Sequence, residues 1–227
     1  DIGDTHSVAA AAHAFRIRDE LRADWSCANG RLGMSIWISP GEGQVVLGKC
    51  PGETNVGKAP FLICRQRSHE ASFLAALVPA RLRDSVSISR EGSVIVAATS
   101  DSTDYVHVRS LGEAAGDVIQ SDGMLASVRV SDGEVRAVTV ARGSRLAWND
   151  QLLIECPQGA LCAEVIFEER TLRISYRGEA TGTLKLKTSA RTARINGVRC
   201  TGSNSGGIAT FRITPQMIVP DEAAPGI

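Results

Sequence analysis

Aromatic residues are scarce in this sequence: two Tyr, five Phe and three Trp among 227 residues. With so few to fill a core, Trp25, Trp37 and Trp148 are expected inside it rather than on the surface as sugar-stacking platforms. An excess of charge is missing as well. The 25 basic and 25 acidic residues cancel, so no global field draws the protein to nucleic acid or to an anionic membrane, and neither is expected as a partner. Any anion-binding surface must be local. No run approaches the roughly 20 apolar residues that span a bilayer. A charged segment leading into an apolar signal sequence is absent, and the chain opens on Asp1 rather than Met, so it is expected to be a processed chain, a cut piece or a fragment.

The usual signatures of catalysis are absent too. There is no GxSxG elbow, no GxxxxGK[ST] phosphate loop, no HExxH zinc helix and no EF-hand loop. The six cysteines, Cys27, Cys50, Cys64, Cys156, Cys162 and Cys200, show no CxxC spacing, so neither a structural zinc nor any other metal or cofactor is expected. His6 and His13 lie seven apart, which on a strand puts them on opposite faces and keeps them from sharing a metal; on a helix they would lie on nearly the same face.

What the sequence does contain is alternation. "RLGMSIWIS" sets Leu32, Met34, Ile36 and Ile38 against Gly33, Ser35, Trp37 and Ser39. "DYVHVRS" sets Tyr105, His107 and Arg109 against Val106 and Val108. Such period-two runs are half-buried strands. His6 to Arg18 reads as another strand, although its alanines favour helix. "SVSISREGSVIVAAT" is two strands joined at Glu91-Gly92. "MLASVRVSDGEVRAVTVARG" is a hairpin with Asp132-Gly133 in the turn, the pair that supplies the positive φ angles of a tight connection. "ALCAEVIFEERTLRISYRG" repeats the device, and "GTLKLKTSARTARINGVRC" adds two more strands. Turn signals recur every 8–12 residues or so, and no long amphipathic helix separates the strands. The expected fold is all-β: an antiparallel β-sandwich of two large stacked sheets, a dozen or more strands and little helix. No composition shift marks a linker. Residues 1–227 therefore read as a single domain, weakest near Gly112–Gly123, with a loose tail over residues 215–227.

The stretch "PFLICRQRSHEASFLAALVP", Pro60 to Pro79, places Arg65, Arg67 and His69 between two apolar arms. It reads as a hairpin whose charged tip leaves the core. An arginine pair can grip a carboxylate or sulfate through paired hydrogen bonds, so these three residues are candidate ligands for an anionic partner; a solvated turn explains them equally. Cys156 and Cys162 bracket "PQGAL" and are candidates for a small-loop disulfide; otherwise they are buried small hydrophobes.

Several phrases together carry a resemblance. "MSIWISPGEGQVVLGKCPG", "PFLICRQRSHEASFLAALVP" and "RTARINGVRC", with the opening "DTHSV…HAFRI", resemble the C-terminal β-region of heparinase II/III-like polysaccharide lyases, over most of the span from His6 to Cys200. The resemblance implies the β-sandwich portion of a larger enzyme. An α/α toroid would precede it in the same polypeptide, and an acidic, uronate-containing polysaccharide would be cleaved by β-elimination between the two. It also implies a periplasmic or secreted location. The family's base and acid, a Tyr with a His or Asn, lie on the toroid. Tyr105 and Tyr176 fall in strands and match neither, so no catalytic residue carries over, and the chain is expected to be inactive alone. The alternatives are a stand-alone carbohydrate-binding sandwich and a structural, adhesin-like β-domain.

Overall fold

The computed structural model describes the strands at 13–17, 21–26, 33–39, 43–51, 58–65 and 74–80, and residues 86–109, 118–157, 160–168, 171–178 and 181–218. The chain divides into two compact units, residues 1–84 and 85–227, where the sequence was read as one domain with its weakest point near 112–123. The described residues are strand throughout, apart from turns and one 3₁₀ turn. No helix among them is long and apolar enough to cross a membrane.

The described residues of the first unit form six strands in two three-stranded antiparallel sheets. β1 (His13–Ile17), β4 (Gly43–Pro51) and β5 (Lys58–Arg65) make one; β2 (Leu21–Ser26), β3 (Gly33–Ser39) and β6 (Leu74–Ala80) make the other. The expected hairpin between the arms of residues 60–79 does not form. β5 pairs with β4, Arg65 opposite Gln44, while β6 pairs with β3, Leu74 opposite Ser39. Both arms are continuous apolar runs, and such a run satisfies any neighbour equally, so its sequence does not specify its partner.

The described residues of the second unit form fifteen strands. In chain order they are β7 (Ser87–Glu91), β8 (Val94–Ala98), β9 (Thr103–Val108), β10 (Ile119–Ser121), β11 (Leu125–Ser131), β12 (Glu134–Ala141), β13 (Arg145–Trp148), β14 (Gln151–Glu155), β15 (Ala160–Phe167), β16 (Leu172–Gly178), β17 (Gly182–Lys187), β18 (Thr192–Ile195), β19 (Val198–Thr201), β20 (Ser203–Ser205) and β21 (Ile208–Ile213). One sheet has nine strands, in the order β19-β18-β16-β15-β12-β11-β9-β8-β7; the other has six, in the order β10-β13-β14-β17-β21-β20. All pairs are antiparallel except β16 with β18. The chain leaves β16 for β17 in the six-stranded sheet and returns to the nine-stranded sheet as β18, so β18 runs in the same direction as β16.

The alternating runs bury one face of each sheet. Leu172, Ile174 and Tyr176 of β16 are buried, while Arg173, Ser175 and Arg177 between them are exposed. Val128, Val138, Val165 and Ile195 from the larger sheet share one core with Leu146, Ile154, Leu184 and Phe211 from the smaller, each 1% exposed or less. Burying such a side chain contributes about 1.5–3 kcal/mol. Trp148 is partly buried and packs against this core, its ring 6.1 Å from that of Tyr105 and tilted by 52°. His107 lies on the same inner face as Tyr105 and is 2% exposed. The Asp132-Gly133 turn forms as expected, with φ of 53° and 73°. The expected loose tail is anchored where it begins: Pro215–Met217 form the 3₁₀ turn and Met217 is buried. Residues 219–227 lie outside the described set.

Two connections between the sheets touch back to back. One, Asp122–Met124, links β10 to β11; the other, Arg142–Ser144, links β12 to β13. Asp122 fastens them. Its Oδ1 accepts from the N–H groups of Ser144 (2.9 Å) and Arg145 (2.7 Å), and its Oδ2 accepts from Ser144 Oγ (2.6 Å). Burial works to raise this carboxyl's pKa, but together the hydrogen bonds from Ser144 and Arg145 outweigh it and hold the group below its ordinary 3.8. A folded-state pKa below the unfolded value means a stabilisation complete above pH 3.8 and lost as pH falls through the folded value. Asp122→Asn is therefore expected to lower the melting temperature near neutrality. The gap to wild type should narrow as the buffer is acidified from about pH 5 to about pH 3; a gap that stayed constant would deny the carboxylate this role.

Candidate functional site

The most distinctive surface in the second unit is built by the β18–β19 hairpin. Asn196 and Gly197 take φ of 47° and 85°, the left-handed pair of a two-residue type I′ turn. That turn pairs Ile195 with Val198 and so sets Arg194 directly opposite Arg199. Ala193 and Ile195 are fully buried, so the residue between them, Arg194, points away from the core, and Arg199 shares its face. On the other side of β18, the parallel register sets Arg173 of β16 beside Arg194. Arg173 is itself flanked by the buried Leu172 and Ile174.

Three guanidinium-bearing side chains thus stand on adjacent strands, roughly 5 Å apart at their bases. All three are exposed. Like charges placed directly opposite one another destabilise a sheet. Some bases elsewhere on this unit have a carboxylate at hand: Arg129 grips Asp104 at 2.7 and 2.9 Å, Arg136 meets Glu134 at 3.0 Å and Lys185 meets Glu155 at 2.9 Å. In the row only Arg173 has such a neighbour, Glu168 at 3.7 Å. No carboxylate pairs with Arg194 or Arg199 among the described residues. The surrounding sequence is strongly biased: from Thr171 to Arg212 there are eight basic residues and one acid, Glu179. The local basic surface that a neutral chain requires for anion binding is present here.

Arg65, the first of the sequence-derived candidates, closes β5 opposite Gln44. Arg67 and His69 lie outside the described residues. The row escaped sequence reading although part of it was legible. An Asn-Gly pair announces a two-residue turn, and such a turn pairs the positions two before and two after it, which here are Arg194 and Arg199.

Cys156 and Cys162 are free thiols rather than the candidate disulfide. Cys156 follows β14, its N–H bonded to Ser144 O, and its side chain joins the core. Cys162 sits in β15 between Ala141 and Arg177, one residue before the fully buried Ala163, and so faces outward. The two thiols therefore point to different sides of the nine-stranded sheet. Burial first, then the nearby charge of Asp122, pushes the Cys156 thiol up to about 12. Burial likewise raises Cys162 and Cys200. All three remain protonated at neutral pH and are poor nucleophiles. No group of His, Cys, Asp and Glu suited to a metal ion occurs among the described residues.

Fold and surface together define an all-β protein whose larger sheet carries an exposed arginine row near one edge. No family model matches the chain, and no curated protein is found to match it.

Proposed function

We propose that this chain is a carbohydrate-recognition module that binds an acidic, uronate-containing polysaccharide through Arg173, Arg194 and Arg199. The observation that carries the reading is the row itself: cations on three adjacent strands, two of them with no carboxylate partner among the described residues. Guanidinium groups form paired hydrogen bonds with carboxylates, and a linear polymer is the natural partner of a linear row. The resemblance of the "MSIWISPGEGQVVLGKCPG" and "RTARINGVRC" phrases to the β-region of heparinase II/III-like lyases favours the same ligand class. In that setting the module holds polymer for chemistry performed by a toroid elsewhere in the polypeptide.

Calorimetric titration with uronate oligosaccharides at two salt concentrations tests this. The Arg194→Ala/Arg199→Ala double variant is expected to bind at least about tenfold more weakly at low salt, the loss shrinking as salt screens exposed charges. Its melting temperature should hold or rise slightly, because a like-charge pair has been removed. A second reading is favoured by the position of β19 at the sheet edge, where charged side chains commonly guard against edge-to-edge pairing. Unchanged affinity combined with concentration-dependent self-association of the double variant would assign the arginines to that role and retire the binding reading.

A further inference from the structure

The β18–β19 turn is also a place where the chain can react with itself. Asn196 is followed by Gly197. In such a pair the glycine nitrogen, unshielded by a neighbouring side chain, can attack the asparagine amide. In the fold that amide is engaged. Its Oδ1 accepts from Tyr176 N–H at 2.9 Å, and its Nδ2 donates to Tyr176 O and Met217 O, both at 2.6 Å. The backbone N–H of Asn196 donates to Ile174 O at 2.9 Å. Asn196 is half-buried and Gly197 is exposed. The turn itself also opposes the reaction. The first residue of a type I′ turn has ψ of about +30°, which sets Gly197 N nearly opposite the Asn196 side chain across the Cα–C bond. A five-membered ring needs the two on the same side. Ring closure therefore requires the backbone to leave its turn and the side chain to release β16 and Met217.

We infer that Asn196-Gly197 is a self-modification site kept closed by the fold: it deamidates only when the clasp on β16 opens, and the hairpin carrying Arg194 and Arg199 cannot then close as before. The inference does not depend on the binding reading above. The reaction needs only water from outside. Gly197 N loses its proton and bonds to Asn196 Cγ. The Cγ–Nδ2 bond breaks, and the amide nitrogen leaves with that proton as ammonia. Water then opens the ring at one of its two carbonyls. One product is aspartate, which turns a carboxylate towards the carbonyl oxygens of Tyr176 and Met217. The other is isoaspartate, which routes the backbone through Cγ. That lengthens the turn by one carbon and breaks the register of Arg194 with Arg199. Both products lack the amide donor that holds Tyr176 O and Met217 O, so a single opening leaves a permanent mark.

The test follows conversion of Asn196 by mass spectrometry of the tryptic peptide Ile195–Arg199, which separates it from the chain's other Asn-Gly pair, Asn29-Gly30. Three samples age together at mildly alkaline pH: the native chain, the chain in urea, and a synthetic peptide of residues 192–201. The unfolded chain should keep pace with the peptide. The native chain is expected to deamidate at least about a hundredfold more slowly, since three side-chain hydrogen bonds must break before the ring can close. The same opening frees Tyr176 N–H, so its protection against amide exchange should match the protection of Asn196 within about tenfold. A native rate within about threefold of the peptide's overturns the inference. So does a Tyr176 amide that exchanges freely while Asn196 stays intact, because the clasp would then not be what closes the site.

Discussion

Replacing Asn196 with alanine is expected to destabilise the second unit by about 3–4 kcal/mol. The side chain lies against the backbone of β16 like an additional peptide group. Its Oδ1 accepts from Tyr176 N–H at 2.9 Å, and its Nδ2 donates to Tyr176 O and to Met217 O, both at 2.6 Å. Each such bond contributes about 1 kcal/mol net, and more where a partly buried group loses a partner. Asn196 also holds φ at 47°, a conformation that costs alanine about 1 kcal/mol or more. Two further variants separate these contributions. Asn196→Gly keeps the backbone freedom and loses only the side-chain bonds. Asn196→Asp keeps the acceptor for Tyr176 N–H but turns a carboxylate oxygen towards two carbonyl oxygens. The aspartate variant should be at least as damaging as alanine at neutral pH and should recover partly on acidification, when a protonated carboxyl can donate to one of those carbonyls. Thermal melts followed by circular dichroism, together with amide exchange in β16 and β18, measure this. A loss below about 1 kcal/mol for alanine would show that water replaces the side chain readily.

The same asparagine marks how far sequence reading reaches. Local devices were legible because their chemistry is local: Asp132-Gly133 and Asn196-Gly197 announce their turns through left-handed φ, and "LRISYR" announces its buried and exposed faces through period two. That Asn196 also clasps β16 and the turn at Met217 was not legible, since those partners lie some twenty residues away on either side of it. The arginine row divides in the same way. Arg194 and Arg199 follow from the turn, but Arg173 joins them only because β17 crosses to the other sheet between β16 and β18, and no pattern within β16 or β18 encodes that neighbour. The apolar arms of residues 60–79 read as one hairpin but pair with different strands for a related reason. Burial was legible in them; pairing was not.

Gly143→Ala is expected to cost about 3 kcal/mol or more, at the upper end of what overpacking does. The reason is contact with backbone rather than conformational freedom. A Cβ at Gly143 would fall on the Cα of Gly123 and 2.9 Å from Asp122 Oδ1. The first is backbone, and the second is the tip of a side chain held in place by three hydrogen bonds. Gly123 is confined in turn, since a Cβ there would meet Ala141 O at 3.0 Å and Leu125 O at 3.1 Å. To admit one methyl group the two connections must separate, and separating them pulls Asp122 from the N–H groups of Ser144 and Arg145 and from the Ser144 hydroxyl. The steric cost and the loss of the clasp are therefore one event. Their coupling is measurable: Gly143→Ala should cost less in an Asp122→Ala background than in wild type, with an interaction energy of about 1 kcal/mol or more, as for other residues in direct contact. Urea unfolding of the four proteins in this cycle measures it. Additive losses would mean that the connections part without disturbing Asp122. A loss within about 0.5 kcal/mol for Gly143→Ala alone, the range of an ordinary surface substitution, would mean that the close approach of Gly123 and Gly143 contributes nothing to holding the two sheets together.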